Sequence, residues 1–212
     1  SEGADAPYVP LPSCWASAWL ETGPDEVLLG CENYLHAAIL RPSERRIVGE
    51  VDLGSTLEAG SFDAEGGSLY GVSLWGDARV RRWRWPDGEP LAERLVGPFN
   101  WSALHVPELG ELWVSRFLEG RILRLDAETL EVRGQIPLSF GLRALHRDPV
   151  RGVVWAAAAY SGRLWRIDPQ DPDRPRSWAL CGQTRDLDSD AAGRVLLGSD
   201  CGIFAVDAGP AN

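Results

Sequence analysis

Five short apolar segments recur at nearly even intervals along the chain: Val27-Leu28-Leu29-Gly30, Ser68-Leu69-Tyr70-Gly71, Glu111-Leu112-Trp113-Val114, Val153-Val154-Trp155-Ala156 and Val195-Leu196-Leu197-Gly198. They are spaced by about 42 residues, the length that repeat architectures use for one small antiparallel sheet. A unit of that size cannot bury both of its faces alone. Several copies must therefore stack against one another.

Two copies agree well beyond the apolar segment. Trp113 answers Trp155, Gly120-Arg121 answers Gly162-Arg163, and Arg124-Leu125-Asp126 answers Arg166-Ile167-Asp168. Upstream, Phe99-Asn100-Trp101-Ser102-Ala103-Leu104-His105 answers Phe140-Gly141-Leu142-Arg143-Ala144-Leu145-His146. Each unit reads as four strands of about five or six residues, rich in β-branched and aromatic side chains and separated by glycine or polar turns. In the third unit, counted outward from the axis, the strands are expected near 101–106, 111–116, 121–125 and 131–137. The 15 Pro and 23 Gly interrupt the chain too often for a helical period to persist. The fold implied is all-β: a five-bladed β-propeller of four-stranded antiparallel blades, with residues 1–212 forming one domain.

The fifth unit starts near Arg185 and stops after its third strand, at the turn Asp207-Ala208-Gly209-Pro210. At the other end, Tyr8-Val9-Pro10-Leu11 has no partner, and its proline suits an edge position. Tyr8 to Leu11 is expected to supply the missing outer strand and so close the ring from the N-terminus, removing an exposed edge. Cys14 and Cys181 precede the first strands of the first and fifth units, while Cys31 and Cys201 follow the second strands. All four are expected at this seam. Facing positions in a hairpin favour Cys14 with Cys31 and Cys181 with Cys201 over bridges joining the two blades. With no CxxC pair, disulfides fit better than structural zinc, and they imply a secreted or periplasmic compartment. The polar opening Ser1-Glu2-Gly3-Ala4-Asp5-Ala6-Pro7 is of the kind that follows a cleaved export signal.

A formal charge of -10 sets a field that repels phosphate backbones, which argues against nucleic acid as a partner. The Arg79, Arg81, Arg82, Arg84 run alternates with Val80 and Trp83, as a strand with one wet face does. All 21 basic side chains are Arg, a bias that GC-rich bacterial coding produces. No apolar run approaches the roughly 18 to 20 residues of a membrane-spanning helix; the longest, Val153 to Tyr160, is strand-length.

The segment from Gly120 to Val132 resembles the repeat of the bacterial propeller superfamily that includes NHL-like, YncE-like and streptogramin-lyase-like proteins. That resemblance implies a fold and leaves activity open. Leu112-Trp113-Val114 and the hairpin after it are also similar to the blade pattern of plant-type glutaminyl cyclotransferases, five-bladed secreted enzymes that cyclise N-terminal glutamine. The active-site motif of that family, Glu-Gly-Trp-Gly-Leu, has no counterpart here.

Propellers bind ligands where the loops from outer to inner strands and the turns between the second and third strands converge on the channel mouth. Those loops carry Trp75, Asp77, Asn100, Trp101, Arg116, Phe117, Arg143, Tyr160 and Arg185 as candidate binding residues, with Trp15, Glu32, Asn33, Glu58, Glu119 and Asp186 beside them. They vary between units while the strands repeat, and Trp75 and Trp101 are expected in loops. No metal site or cofactor is indicated. Asp186-Leu187-Asp188-Ser189-Asp190 alternates carboxylates as a calcium loop does, but lacks the turn glycine and closing Glu and reads as a strand edge. His105 and His146 are expected at one repeated structural position, and no Ser, His and acidic residue order suggests a triad.

Two functions remain open. One is an exported non-catalytic module that holds a protein, peptide or small ligand at the channel mouth. The other is an enzyme of the cyclotransferase or lyase kind, using Glu32, Glu58 or Glu119 as general acid or base. A buried channel carboxylate with a polar partner favours the enzyme; an open, flat, apolar face favours assembly.

Overall fold

The computed structural model describes residues 16–31, 33–74, 77–148, 150–190 and 194–206. The first blade holds β1 (Ala16–Gly23), β2 (Glu26–Cys31), β3 (His36–Arg41) and β4 (Arg46–Asp52). The second holds β5 (Ala59–Asp63), β6 (Ser68–Val72), β7 (Arg79–Arg84) and β8 (Glu89–Leu95). In the third are β9 (Asn100–Val106), β10 (Glu111–Arg116), β11 (Arg121–Asp126) and β12 (Val132–Pro137). In the fourth are β13 (Leu142–Asp148), β14 (Val153–Ala158), β15 (Arg163–Asp168) and β16 (Asp171–Ala179). The fifth has β17 (Thr184–Ser189), β18 (Val195–Ser199) and β19 (Gly202–Val206).

Every sheet pairs its strands antiparallel and in chain order. The protein is an all-β, five-bladed β-propeller; Pro107–Leu109 adds one 3-10 turn. Among the described residues the fifth sheet has three strands. Tyr8 to Leu11, expected as its fourth, lies outside them, as does Cys14.

The local chemistry explains the regular hairpins. Gly120 and Gly162 take φ of +63° and +56° at equivalent turns, a conformation that disfavours a side chain. At the other end of β11, the Asp126 carboxylate accepts the N–H groups of Glu128 and Thr129 at 2.9 and 2.8 Å, and Asp168 repeats the motif with Gln170. The Thr129 N–H bond leads the interactions that draw Asp126 down to about 2. Both carboxylates act as turn formers.

Apolar clusters weld successive blades from the first to the fifth. Trp113 and Trp165 pack with Val106, Ile136, Leu142 and Val154 between the third and fourth blades. Trp155 packs with Leu187, Val195 and Leu197 between the fourth and fifth. Trp83 joins Leu28, Leu57 and Leu69 between the first and second, and its indole N–H donates to the Leu53 carbonyl at 3.0 Å. Burying these rings supplies the association that no single sheet could provide.

One expected equivalence is corrected. His105 lies opposite Leu112, whereas His146 lies opposite Trp155, the counterpart of Trp113. The two histidines are thus one residue out of register, and successive strand residues face opposite sides of a sheet. His105 stacks on Tyr70 of the second blade at 5.2 Å, while His146 meets Ser189 Oγ of the fifth at 3.1 Å. Burial pushes both imidazoles down from their ordinary value. Both remain structural, in different interfaces.

Candidate functional site

The innermost strands β1, β5, β9, β13 and β17 pack successively around the axis and together line one central cavity of about 460 Å³. Its wall includes Trp19, Glu58, Leu74, Asn100, Trp101, Arg143, Arg185 and Asp186. Four of the nine candidate binding residues therefore converge there: Asn100, Trp101, Arg143 and Arg185. Trp101 was expected in a loop; the structure places it second in β9. Being near the start of the innermost strand still sets its ring at the channel mouth.

Beside the cavity the aromatic candidates meet. The rings of Trp101 and Phe117 are 4.6 Å apart, and Phe117 touches Tyr160 at 5.6 Å. Phe140 completes the group, edge-on to Phe117 at 5.7 Å and stacked on Tyr160 at the same distance. Phe117 is 7% exposed, but Phe140 and Tyr160 are 51% and 59% exposed. Two water-facing rings thus sit on a buried third. Main-chain bonds fix the platform: the Phe117 N–H donates to Phe99, Gly141 to Phe117, and Ala159 to Gly141, at 3.0, 2.9 and 2.7 Å. Gly141 has φ +85°, and a Cβ there would lie 3.0 Å from the Tyr160 nitrogen. A side chain at Gly141 would be strained at this crossing.

Charge is arranged with one outstanding member. Arg143 lays its guanidinium over the Trp101 ring at 4.9 Å. It makes no ion pair among the described residues, whereas Arg185 is held by Asp200 at 3.1 Å. Glu58, 8% exposed, accepts the Leu74 N–H at 2.6 Å and the hydroxyls of Ser73 and Thr56 at 3.3 Å.

Other candidates serve the frame. Arg116 is buried against Gly97 and paired with Glu119, and desolvation pushes its guanidinium down. Its cross-strand partner Asn100 donates from Nδ2 to the Gly97 carbonyl at 2.6 Å, leaving the buried Oδ1 without a partner. Asp77 bonds Arg81 and the Arg79 N–H on the outer surface; burial opposes its ionisation, but the Arg81 bond and charge prevail and hold it low. Glu119 also pairs with Arg121 at 2.7 Å. Trp15, Glu32 and Trp75 lie outside the described residues. Cys31 is buried. Cys181 and Cys201 carry free thiols in hydrogen-bond contact, and Cys181 pushes the Cys201 thiol up.

Phe140 is the site residue that sequence reasoning passed over. Phe99 matches it as a letter but not in place, since Phe99 accepts the Phe117 N–H as Gly141 accepts that of Ala159, so Phe140 enters one residue earlier.

No family model and no curated protein matches the sequence. Among solved structures, the chain is similar to a chain of Kuenenia stuttgartiensis hydrazine synthase, with 17% identity over 91% of this chain and a TM-score of 0.71. This chain spans 58% of that one's length. At such identity the likeness is one of fold, and the NHL-like, YncE-like and cyclotransferase resemblances are not shown by it. What the likeness supports is the β-propeller architecture itself.

Proposed function

We propose that the protein is a non-catalytic binding module that holds an acidic peptide segment, or a small carboxylate ligand with an apolar flank, at the channel mouth. The observation that carries this reading is Arg143, seated on Trp101 with no ion pair among the described residues, near the exposed Phe140 and Tyr160 rings. A guanidinium preorganised on an aromatic face presents a fork that a carboxylate matches, and two exposed rings offer area at low entropic cost. The compartment proposed is extracytoplasmic. What supports it is the disulfide bonding of Cys31 and the hydrogen-bond contact between the Cys181 and Cys201 thiols, a pair that an oxidising compartment would join.

The test is fluorescence polarisation of a labelled tetrapeptide library. Binders are expected to place Asp or Glu beside an aromatic residue and to be lost in Arg143→Ala. A library without binders, or binding indifferent to Arg143, contradicts the reading.

Glu58 favours a second reading, since it is a buried channel carboxylate with hydroxyl partners. In that reading it serves as general base in a cyclotransferase-like reaction. Turnover of a glutaminyl peptide that disappears in Glu58→Gln would replace the binding proposal.

A further inference from the structure

Three blades place an aromatic residue opposite an arginine at equivalent positions, a Trp in the third and fourth and Tyr70 in the second, and they differ in what receives the donors. In the third blade, Glu111, Trp113 and Arg124 share one face, because Glu111 and Trp113 are two apart on β10 and Trp113 lies opposite Arg124. Glu111 Oε2 accepts the Trp113 indole N–H and the Arg124 Nε–H, both at 2.8 Å, and Oε1 accepts Arg124 Nη2 at 2.7 Å. In the second blade, Ser68, Tyr70 and Arg82 occupy the same places, and Ser68 Oγ takes the Arg82 Nε–H at 3.0 Å.

The fourth blade keeps both donors and has no acceptor. Trp155 lies opposite Arg166, but the position of Glu111 is held by Val153. Both Trp155 Nε1 and Arg166 Nε are buried and have no hydrogen-bond partner among the described residues. They are the two groups that a single oxygen satisfies in the third blade. Trp155 is 1% exposed, so water does not freely solvate its N–H. Leaving such donors unmade is costly, and their stranding in matching pairs calls for a specific acceptor.

The valine side chain ends at Cγ, one carbon short of the carboxyl carbon of a glutamate. Arg166 also lines a cavity of about 350 Å³, together with Arg174, Arg176, Asp168 and Asp171, at the end of the ring opposite the channel mouth. Arg176 faces Arg166 directly across the β15–β16 pair, and of the pocket's own carboxylates Asp171 lies 3.9 Å from Arg174, so the arginines outnumber the carboxylates there by three to two. We propose that this pocket is a second binding site, specific for a carboxylate, in which the ligand replaces the missing glutamate and bridges Trp155 Nε1 and Arg166 Nε. The site is independent of the channel mouth.

The probe is sodium acetate, read on the indole N–H cross-peaks of 15N-labelled full-length protein and matched in ionic strength with sodium chloride. Trp155→Phe assigns the reporter. Acetate is expected to move the Trp155 resonance to saturation. Arg166→Gln should weaken the response by at least about tenfold. Val153→Glu should shift the free resonance in the acetate direction and abolish further response. An unmoved Trp155 peak in the wild-type protein overturns the proposal. So does a response to sulfate without one to acetate, or an unchanged acetate response in folded Val153→Glu.

Discussion

The third and fourth blades share more of their sequence than any other pair, yet the third seals its donors internally and the fourth leaves them open. Glu111 in one and Val153 in the other account for the difference. In β10 the carboxylate is buried, which raises its pKa, but the Arg124 and Trp113 hydrogen bonds and the Arg124 charge outweigh that and leave Glu111 below its ordinary value. In β14 the face is apolar up to the edge of the pocket. Two repeats thus keep the same strands for packing and differ in how one shared face satisfies its donors.

The largest effect is expected from making the third blade resemble the fourth. Glu111→Val strands the Trp113 N–H and the Arg124 charge in a site where Glu111 is 4% exposed. Urea denaturation should show a loss of about 3 kcal/mol, the size for breaking a buried pair from one side. The reciprocal change, Val153→Glu, gives two orphaned donors an acceptor and is expected to stabilise by about 1 kcal/mol, with carboxylate desolvation offsetting part of the gain. A loss there would show that the two blades do not share a donor frame.

Acidification should separate the blades more gently. Glu111 has a folded pKa lowered from 4.5, so its contribution is complete above 4.5 and is lost as pH falls through the folded value. Hydrogen exchange is expected to show β10 and β11 losing protection over that range before β14 and β15 do. Equal loss in both would contradict the assigned role of Glu111. Smallest is the expected stability effect of Arg143→Ala, within about 0.5 kcal/mol, because Arg143 makes no ion pair among the described residues and lies at the channel surface. A larger loss would mean that Arg143 braces the mouth.

Much of this was legible beforehand. The period of the apolar segments fixes the blade count, and in the third blade the expected strands differ from β9 to β12 by at most a residue at either end. The site was legible in part. Asn100, Trp101, Arg143 and Arg185 reach the cavity because they begin inner strands, which the repeat locates. Asp77 and Arg116 do not line the cavity, and their place in the sequence does not reveal that an ion pair or a glycine contact already occupies each side chain. The histidine register was hidden for a different reason. The strands start in step, Asn100 opposite Arg116 as Leu142 is opposite the equivalent Ala158, and both carry the same bulge, so the match of letters from Phe99 to His105 with Phe140 to His146 lies one residue out of the structural register. The vacancy at Val153 is visible as a letter but has no meaning until Glu111, Trp113 and Arg124 are seen on one face.

The most direct test exchanges the two residues in one protein, Glu111→Val with Val153→Glu, and follows the indole N–H peaks of Trp113 and Trp155 during acetate titration. If the blades present one donor frame with and without its carboxylate, the acetate response leaves Trp155 and appears at Trp113. A folded double variant in which Trp155 still responds, or in which neither indole does, contradicts the account.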